Sequence, residues 1–176
     1  TGCPSGEVQT WLRLGHPDKA LEYAARLQDL FGKENVFMEL MEHGMSHELE
    51  RGVRAGLLEI AKKLDMPLVA TNDLHYATKA DCDSHEQMLA IQTRSVMSEP
   101  ADYNGGRRFA FEGGSYYVKS AAEMASLFPD HPDALKNTLL IAERSSFQVD
   151  PDETLRPQLP DIPEGETEAS WLSKDA

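Results

Sequence analysis

The feature that most constrains the fold is a strand–helix–strand pattern between residues 36 and 71. The apolar run Val36–Met41 is typical of a short buried strand, and apolar side chains recur at helical spacing over Glu48–Leu64. A second apolar run, Leu68–Thr71, follows the helix-ending pair Met66-Pro67. Two strands separated by a helix, within roughly 35 residues, are the pattern of a parallel βαβ unit. The sequence therefore predicts an α/β fold.

Local signals predict further elements around this unit and a linker after them. A short strand is expected at Tyr116–Val118, followed by a helix that Ser120 and Glu123 begin with a capping box. Residues 150–176 contain four prolines among eight acidic side chains, which indicates an extended linker and places the domain in residues 1–149. The other predicted helices are Pro17–Phe31, Lys79–Gln92 and Asp133–Phe147.

The acidic composition excludes several classes of function. With 17 basic and 30 acidic residues the chain has a formal net charge of −13, so we do not expect it to bind nucleic acid by phosphate neutralisation on its own.

No apolar run is long enough to span a membrane and no signal-peptide pattern is present. Two cysteines do not make a disulfide framework, which favours a reducing, cytoplasmic location. The chain also lacks a Walker loop and a Gly-x-Ser-x-Gly elbow, and its start at Thr1 rather than Met suggests an excised piece.

The sharpest candidate site is Asp73-x-His75, directly after the second predicted strand. If the strand continues through both residues, their side chains project to the same face at its carboxyl end, where parallel α/β folds build their sites. A carboxylate beside an imidazole makes half of a site for zinc, manganese or iron. The alternative is a strand end with a solvated Asp73 and a hydrogen-bonded His75, and the spacing alone leaves both open.

Several other side chains are weaker candidates. Glu39 lies within an apolar strand and either faces a cation or polar cavity or reaches solvent. Cys3 is either a thiolate ligand or an inert small residue in a turn. His43 and His47 have a spacing that suits zinc binding on a helix face, but Gly44 between them favours a loop after the first strand. His85, near a helix start, either orients a ligand of the Asp73 site or is solvated.

Five strings in order resemble one protein family. Together they are similar to the PHP (polymerase and histidinol phosphatase) domain of the bacterial replicative DNA polymerase III alpha subunit, especially its actinobacterial members. The resemblance extends over nearly the whole chain, and residues 1–149 would be the C-terminal portion of that domain. The strings are Gly2–Glu7, Phe37–Gly44, Ala70–Tyr76, Tyr116–Ser120 and Pro163–Thr167.

The resemblance implies a distorted (β/α)7 barrel with a cluster of up to three divalent cations, zinc or manganese, at the carboxyl ends of its strands. On that basis Cys3, Asp73 and His75 match metal ligands of the family, while Glu39, His43 and His85 would surround them. Other ligands, including an N-terminal His-x-His, would lie in chain before Thr1. Residues 150–176 would lead towards a polymerase palm that uses magnesium.

The function implied by the resemblance is that of a fragment of a replicative polymerase. The parent would add deoxynucleotides to a primer–template with a sliding clamp and a proofreading subunit, and its PHP domain would be a metal-dependent 3′→5′ exonuclease. The fragment alone is expected to be inactive. A non-catalytic PHP scaffold that docks a proofreading exonuclease, a stand-alone PHP phosphoesterase and a translesion paralogue remain alternatives.

Overall fold

A computed structural model of the chain describes residues 1–43, 48–101, 108–111, 113–149 and 161–175. The chain divides into two units, residues 1–144 and 145–176. None of the described helices is long and apolar enough to cross a membrane. In chain order the elements are α1 (Glu7–Arg13), α2 (Pro17–Phe31), β1 (Met38–Met41), α3 (Glu48–Leu64), β2 (Leu68–Thr71), α4 (Cys82–Thr93), α5 (Ala121–Leu127), α6 (Pro132–Arg144) and α7 (Glu168–Asp175).

The predicted βαβ unit is confirmed. β1 and β2 are parallel, with Met38 opposite Leu68 and Met41 opposite Thr71, and α3 connects them. β1 begins at Met38 rather than Val36, because a short 3₁₀ turn ends immediately before Val36. Within the described ranges the sheet has these two strands. This is an α/β arrangement, but it does not define a seven-stranded barrel, which stays a prediction.

The core of the first unit lies between this small sheet and the helices that pack on it. Met38 and Leu40 of β1 are almost completely buried, and Leu57 and Ile60 of α3 are buried with them. Burying such a side chain fully contributes about 1.5–3 kcal/mol relative to leaving it exposed. Ala20 and Ala24 of α2 and Ala134 of α6 belong to the same cluster and have no exposed surface.

Helix α1 was not predicted, because its seven residues are too few to show a helical periodicity. Its place is secured by packing against α3: a Cβ on Gly56 would come within 2.6 Å of Leu12 Cδ2. A glycine inside a helix costs roughly 0.5–1 kcal/mol relative to alanine, and here it allows the two helices to approach. Short helices depend on such tertiary contacts more than on their own propensity.

Three predicted elements differ from the structure in detail. The first turn of the helix expected at Lys79–Gln92 is a 3₁₀ turn over Lys79–Asp81, capped by Thr78, before α4. The strand expected at 116–118 is a single bridge between Tyr76 and Tyr117. The helix expected at 133–147 runs over Pro132–Arg144. The capping box of Ser120 and Glu123 is confirmed at the start of α5.

In the second unit the expectation of an extended conformation is wrong for α7, Glu168–Asp175. Residues 150–160 of the predicted linker lie outside the described residues. At the start of α7 Thr167 and Ser170 exchange side-chain and backbone hydrogen bonds, 2.9 and 3.1 Å long. Such local bonding to the first free N–H groups favours a helix start, and it was overlooked among the prolines.

Candidate metal centre

The loop after β2, residues 72–77, carries the predicted pair Asp73 and His75, and we call it the strand-end loop. Their side chains are close, with His75 Nδ1 3.9 Å from Asp73 Oδ1. The predicted reason for this proximity is wrong: β2 ends at Thr71, so strand alternation does not reach these residues. Instead Asp73 adopts a φ of +45°, and this left-handed turn brings the two side chains together.

The imidazole of His75 is oriented by the backbone of its partner. His75 Nδ1 lies 2.6 Å from the carbonyl oxygen of Asp73. A carbonyl only accepts hydrogen bonds, so Nδ1 is the donor and Nε2 is the nitrogen that remains for a metal. This is the tautomer that a metal-ligating histidine commonly has, with its other nitrogen bonded to a carbonyl. About a third of each side chain is exposed, so the pair is accessible.

This pair fits half of a divalent metal site, but the described residues do not complete one. Within the described part of the chain no three His, Cys, Asp or Glu side chains form a group that could hold a metal ion. Cys3 is an exposed free thiol whose sulfur accepts a hydrogen bond from Ser5 N at 3.4 Å. Its role as a ligand stays a prediction.

Glu39 lies between the segment that carries Cys3 and the end of β2. Its Oε1 accepts a hydrogen bond of 2.6 Å from Thr71 Oγ1, and a Cβ on Gly2 would lie 3.5 Å from its Oε2. The backbone N–H of Glu39 also donates to Thr1 Oγ1 at 3.0 Å. The carboxylate is therefore half-buried and hydrogen-bonded, and it faces neighbouring chain instead of projecting freely into solvent.

The predicted histidines meet around two aromatic rings. His43 is buried, and its ring stacks on Tyr116 with centroids 4.4 Å apart, while His75 meets Tyr116 edge-on at 5.8 Å. The ring centroids of His85 and His75 are 5.4 Å apart. The centroid of Phe111 lies 5.3 Å from that of His85 and 4.6 Å from that of His75. Burial, reinforced by the neighbouring His75 and opposed by Glu86, lowers the pKa of His85 and so favours its neutral form.

Three residues that hold the strand-end loop were not predicted as part of a site. Tyr116 O accepts hydrogen bonds from the N–H groups of His75 and Tyr76, 2.9 and 3.3 Å long. Asn72 and Lys119 form a second connection to the same region. The string Tyr116–Ser120 had contributed to the resemblance, but nothing in the spacing showed that it contacts residues about forty positions earlier.

The comparisons with known proteins agree with the predicted resemblance. No family model matches the chain. DNA polymerase III subunit alpha of Mycobacterium leprae is 49% identical over 175 residues, which are 98% of this chain and 14% of that protein. The alpha subunit of Saccharopolyspora erythraea is 50% identical over 145 residues, 82% of this chain and 12% of that protein. An error-prone DNA polymerase of Mycolicibacterium paratuberculosis is 35% identical over 174 residues, 98% of this chain and 15% of that protein.

These relatives are all bacterial DNA polymerases, and the chain matches a small part of each. The identity to the alpha subunits of Mycobacterium leprae and Saccharopolyspora erythraea is higher than the identity to the error-prone polymerase. The predicted resemblance to the DNA polymerase III alpha subunit, including actinobacterial members, is therefore confirmed over nearly the whole chain. The chain spans about 14% of the length of the relative from Mycobacterium leprae.

Proposed function

We propose that this chain acts as a segment of a replicative DNA polymerase III alpha subunit, within its PHP domain. The observation that carries the proposal is the 49% identity over 98% of the chain to an alpha subunit. The parent would extend a primer–template with deoxynucleotides in the bacterial cytoplasm, using magnesium in its palm. Its partners would be other replisome subunits, such as a sliding clamp and a proofreading subunit.

The part assigned to this segment is to hold divalent metal for 3′→5′ exonuclease chemistry. Asp73 and His75 supply two donors of suitable type, and Cys3 is the proposed third. Bound zinc or manganese would make a coordinated water more acidic and neutralise charge on the scissile phosphate. The remaining donors would come from other segments of the longer polymerase, so we expect the segment alone to be inactive.

The experiment measures metal content and 3′-end digestion of single-stranded DNA by the full-length polymerase with Asp73→Asn. Asparagine tolerates the left-handed backbone at this position, so the change removes charge without adding strain. Asp65→Asn is the matched control, because exposed Asp65 has a similar φ of +50° outside the strand-end loop.

We expect Asp73→Asn to lose bound metal and digestion while primer extension continues, and Asp65→Asn to retain all three. Equal digestion and equal metal content in the two variants would refute the site. Metal binding without digestion in the unmodified polymerase would instead support a scaffold that docks a separate exonuclease.

A further inference from the structure

The strand-end loop is tied at its beginning to a lysine far along the chain. Lys119 Nζ donates a hydrogen bond of 2.6 Å to Asn72 Oδ1, and Asn72 Nδ2 donates one of 2.6 Å to Tyr117 O. Both ends of the amide are thus matched, the oxygen by an ammonium donor and the nitrogen by a carbonyl acceptor. Asn72 immediately precedes Asp73, so this connection fixes the residue from which the left-handed turn begins.

The other end of the loop is tied to the same stretch of chain, residues 115–119. Tyr116 O accepts from the N–H groups of His75 and Tyr76, and Val118 N donates to Ala77 O at 3.3 Å. The loop is therefore held at both ends by one segment. Asp73 and the His75 side chain, the two candidate donors, lie between these anchoring points.

The ammonium group of Lys119 is half-buried and contacts neighbouring residues of the chain. Its Nζ donates to Ser115 O as well as to Asn72, and it lies 4.5 Å from the centre of the Tyr117 ring. Burial lowers its pKa, and Glu123 opposes the shift. A half-buried ammonium with two bonded acceptors is costly to replace by an apolar group, because those acceptors lose their donor.

We propose that Lys119 is a positioning residue which, through Asn72, holds Asp73 and His75 in the geometry that binds metal. This inference rests on the proposed function for its consequence, but the positioning itself is measurable without metal. Residues outside a ligand set that orient its members commonly change metal affinity by about 10- to 100-fold when they are replaced.

The first test is amide hydrogen exchange in the metal-free full-length polymerase. We expect Lys119→Met to speed exchange of the His75 and Tyr76 amides by about tenfold or more, while amides of β1 and α3 stay protected. Lys136→Met is the matched control, since exposed Lys136 lies outside the strand-end loop and is bonded to Asp133 nearby on α6. Unchanged exchange at His75 and Tyr76 in Lys119→Met would overturn the inference.

A second variant keeps the test decisive if Lys119→Met destabilises the whole domain. Asn72→Ala removes the acceptor of Lys119 together with its own bond to Tyr117 O, so we expect a local loss of protection at least as large as in Lys119→Met and no further loss in the double variant. If the two effects multiply, the residues act independently and the inference is wrong.

Zinc or manganese affinity then separates this inference from the proposed function. We expect Lys119→Met to weaken binding by about 10- to 100-fold, and Lys136→Met to leave it unchanged. If Asp73→Asn loses metal while Lys119→Met changes neither exchange nor affinity, the positioning role alone fails. If Asp73→Asn keeps its metal, the proposed function fails, and the exchange result still decides whether Lys119 positions the loop.

Discussion

Replacing Tyr116 by leucine tests whether the rings around the candidate site are packed as the structure shows. Tyr116 is only 2% exposed, and its ring contacts His43, Phe111 and His75 at 4.4, 4.7 and 5.8 Å. An aromatic pair contributes about 0.5–1.5 kcal/mol beyond the area it buries, so losing three pairs gives roughly 1.5–4.5 kcal/mol. That is a large part of the stability of an ordinary domain, about 5–15 kcal/mol.

The assay is urea unfolding of the 176-residue chain, followed by far-ultraviolet circular dichroism, for the original chain and the variant. Phe147→Leu is the control, because it makes a similar change in a side chain that is 89% exposed. We expect the control to stay within about 0.5 kcal/mol of the original chain. If Tyr116→Leu lowers the free energy of unfolding by no more than the control does, the Tyr116 ring does not join His43, after β1, to His75, after β2.

Three further predictions use the same unfolding measurement. Ser120→Ala removes the hydroxyl that caps α5, and we expect a loss of about 1 kcal/mol, whereas no loss would show that the cap is dispensable. The Tyr117 hydroxyl, assisted by Ser120, lowers the pKa of Glu123 to about 2 from an ordinary 4.5. The stabilisation from this carboxylate is thus fully present above pH 4.5 and is lost as the pH falls through about 2. Glu123→Gln should therefore reduce the fall in the free energy of unfolding between these pH values, and an unchanged fall would contradict this. Asp73→Val should cost about 1–2 kcal/mol more than Asp73→Asn, because a β-branched residue does not suit the left-handed turn, and equal stabilities would count against that turn.

The elements that the sequence predicts with correct bounds are those whose signals lie at their own ends. Pro17 occupies the first turn of α2, and Gly32, with a φ of +85°, follows its last residue. Leu68–Thr71 is confirmed as β2 because Pro67 and an apolar run define it locally. The Ser120 capping box is likewise complete within four residues.

The parts that the sequence does not predict depend on contacts between distant residues. Helix α1 needs Gly56 of α3, and no periodicity in seven residues indicates that contact. The bond from Lys119 to Asn72 joins residues 47 positions apart. Residue spacing along the chain does not indicate such pairs. Asp73 and His75 are therefore predictable because they are two positions apart, whereas the distant residues that orient them are not.

The parallel register explains why the candidate residues from different strings meet at all. Met41 pairs with Thr71, so the chain leaves both strands at the same edge of the sheet, with His43 after β1 and Asp73 after β2. Tyr116, brought in from a later segment, contacts both His43 and His75 and closes the distance between the two exits. The parallel strands therefore bring the candidate residues to one edge of the sheet, and the left-handed turn at Asp73 then brings its side chain close to that of His75. Because a metal takes more donors than the described residues at the two strand ends supply, the proposed site requires further donors at this same edge.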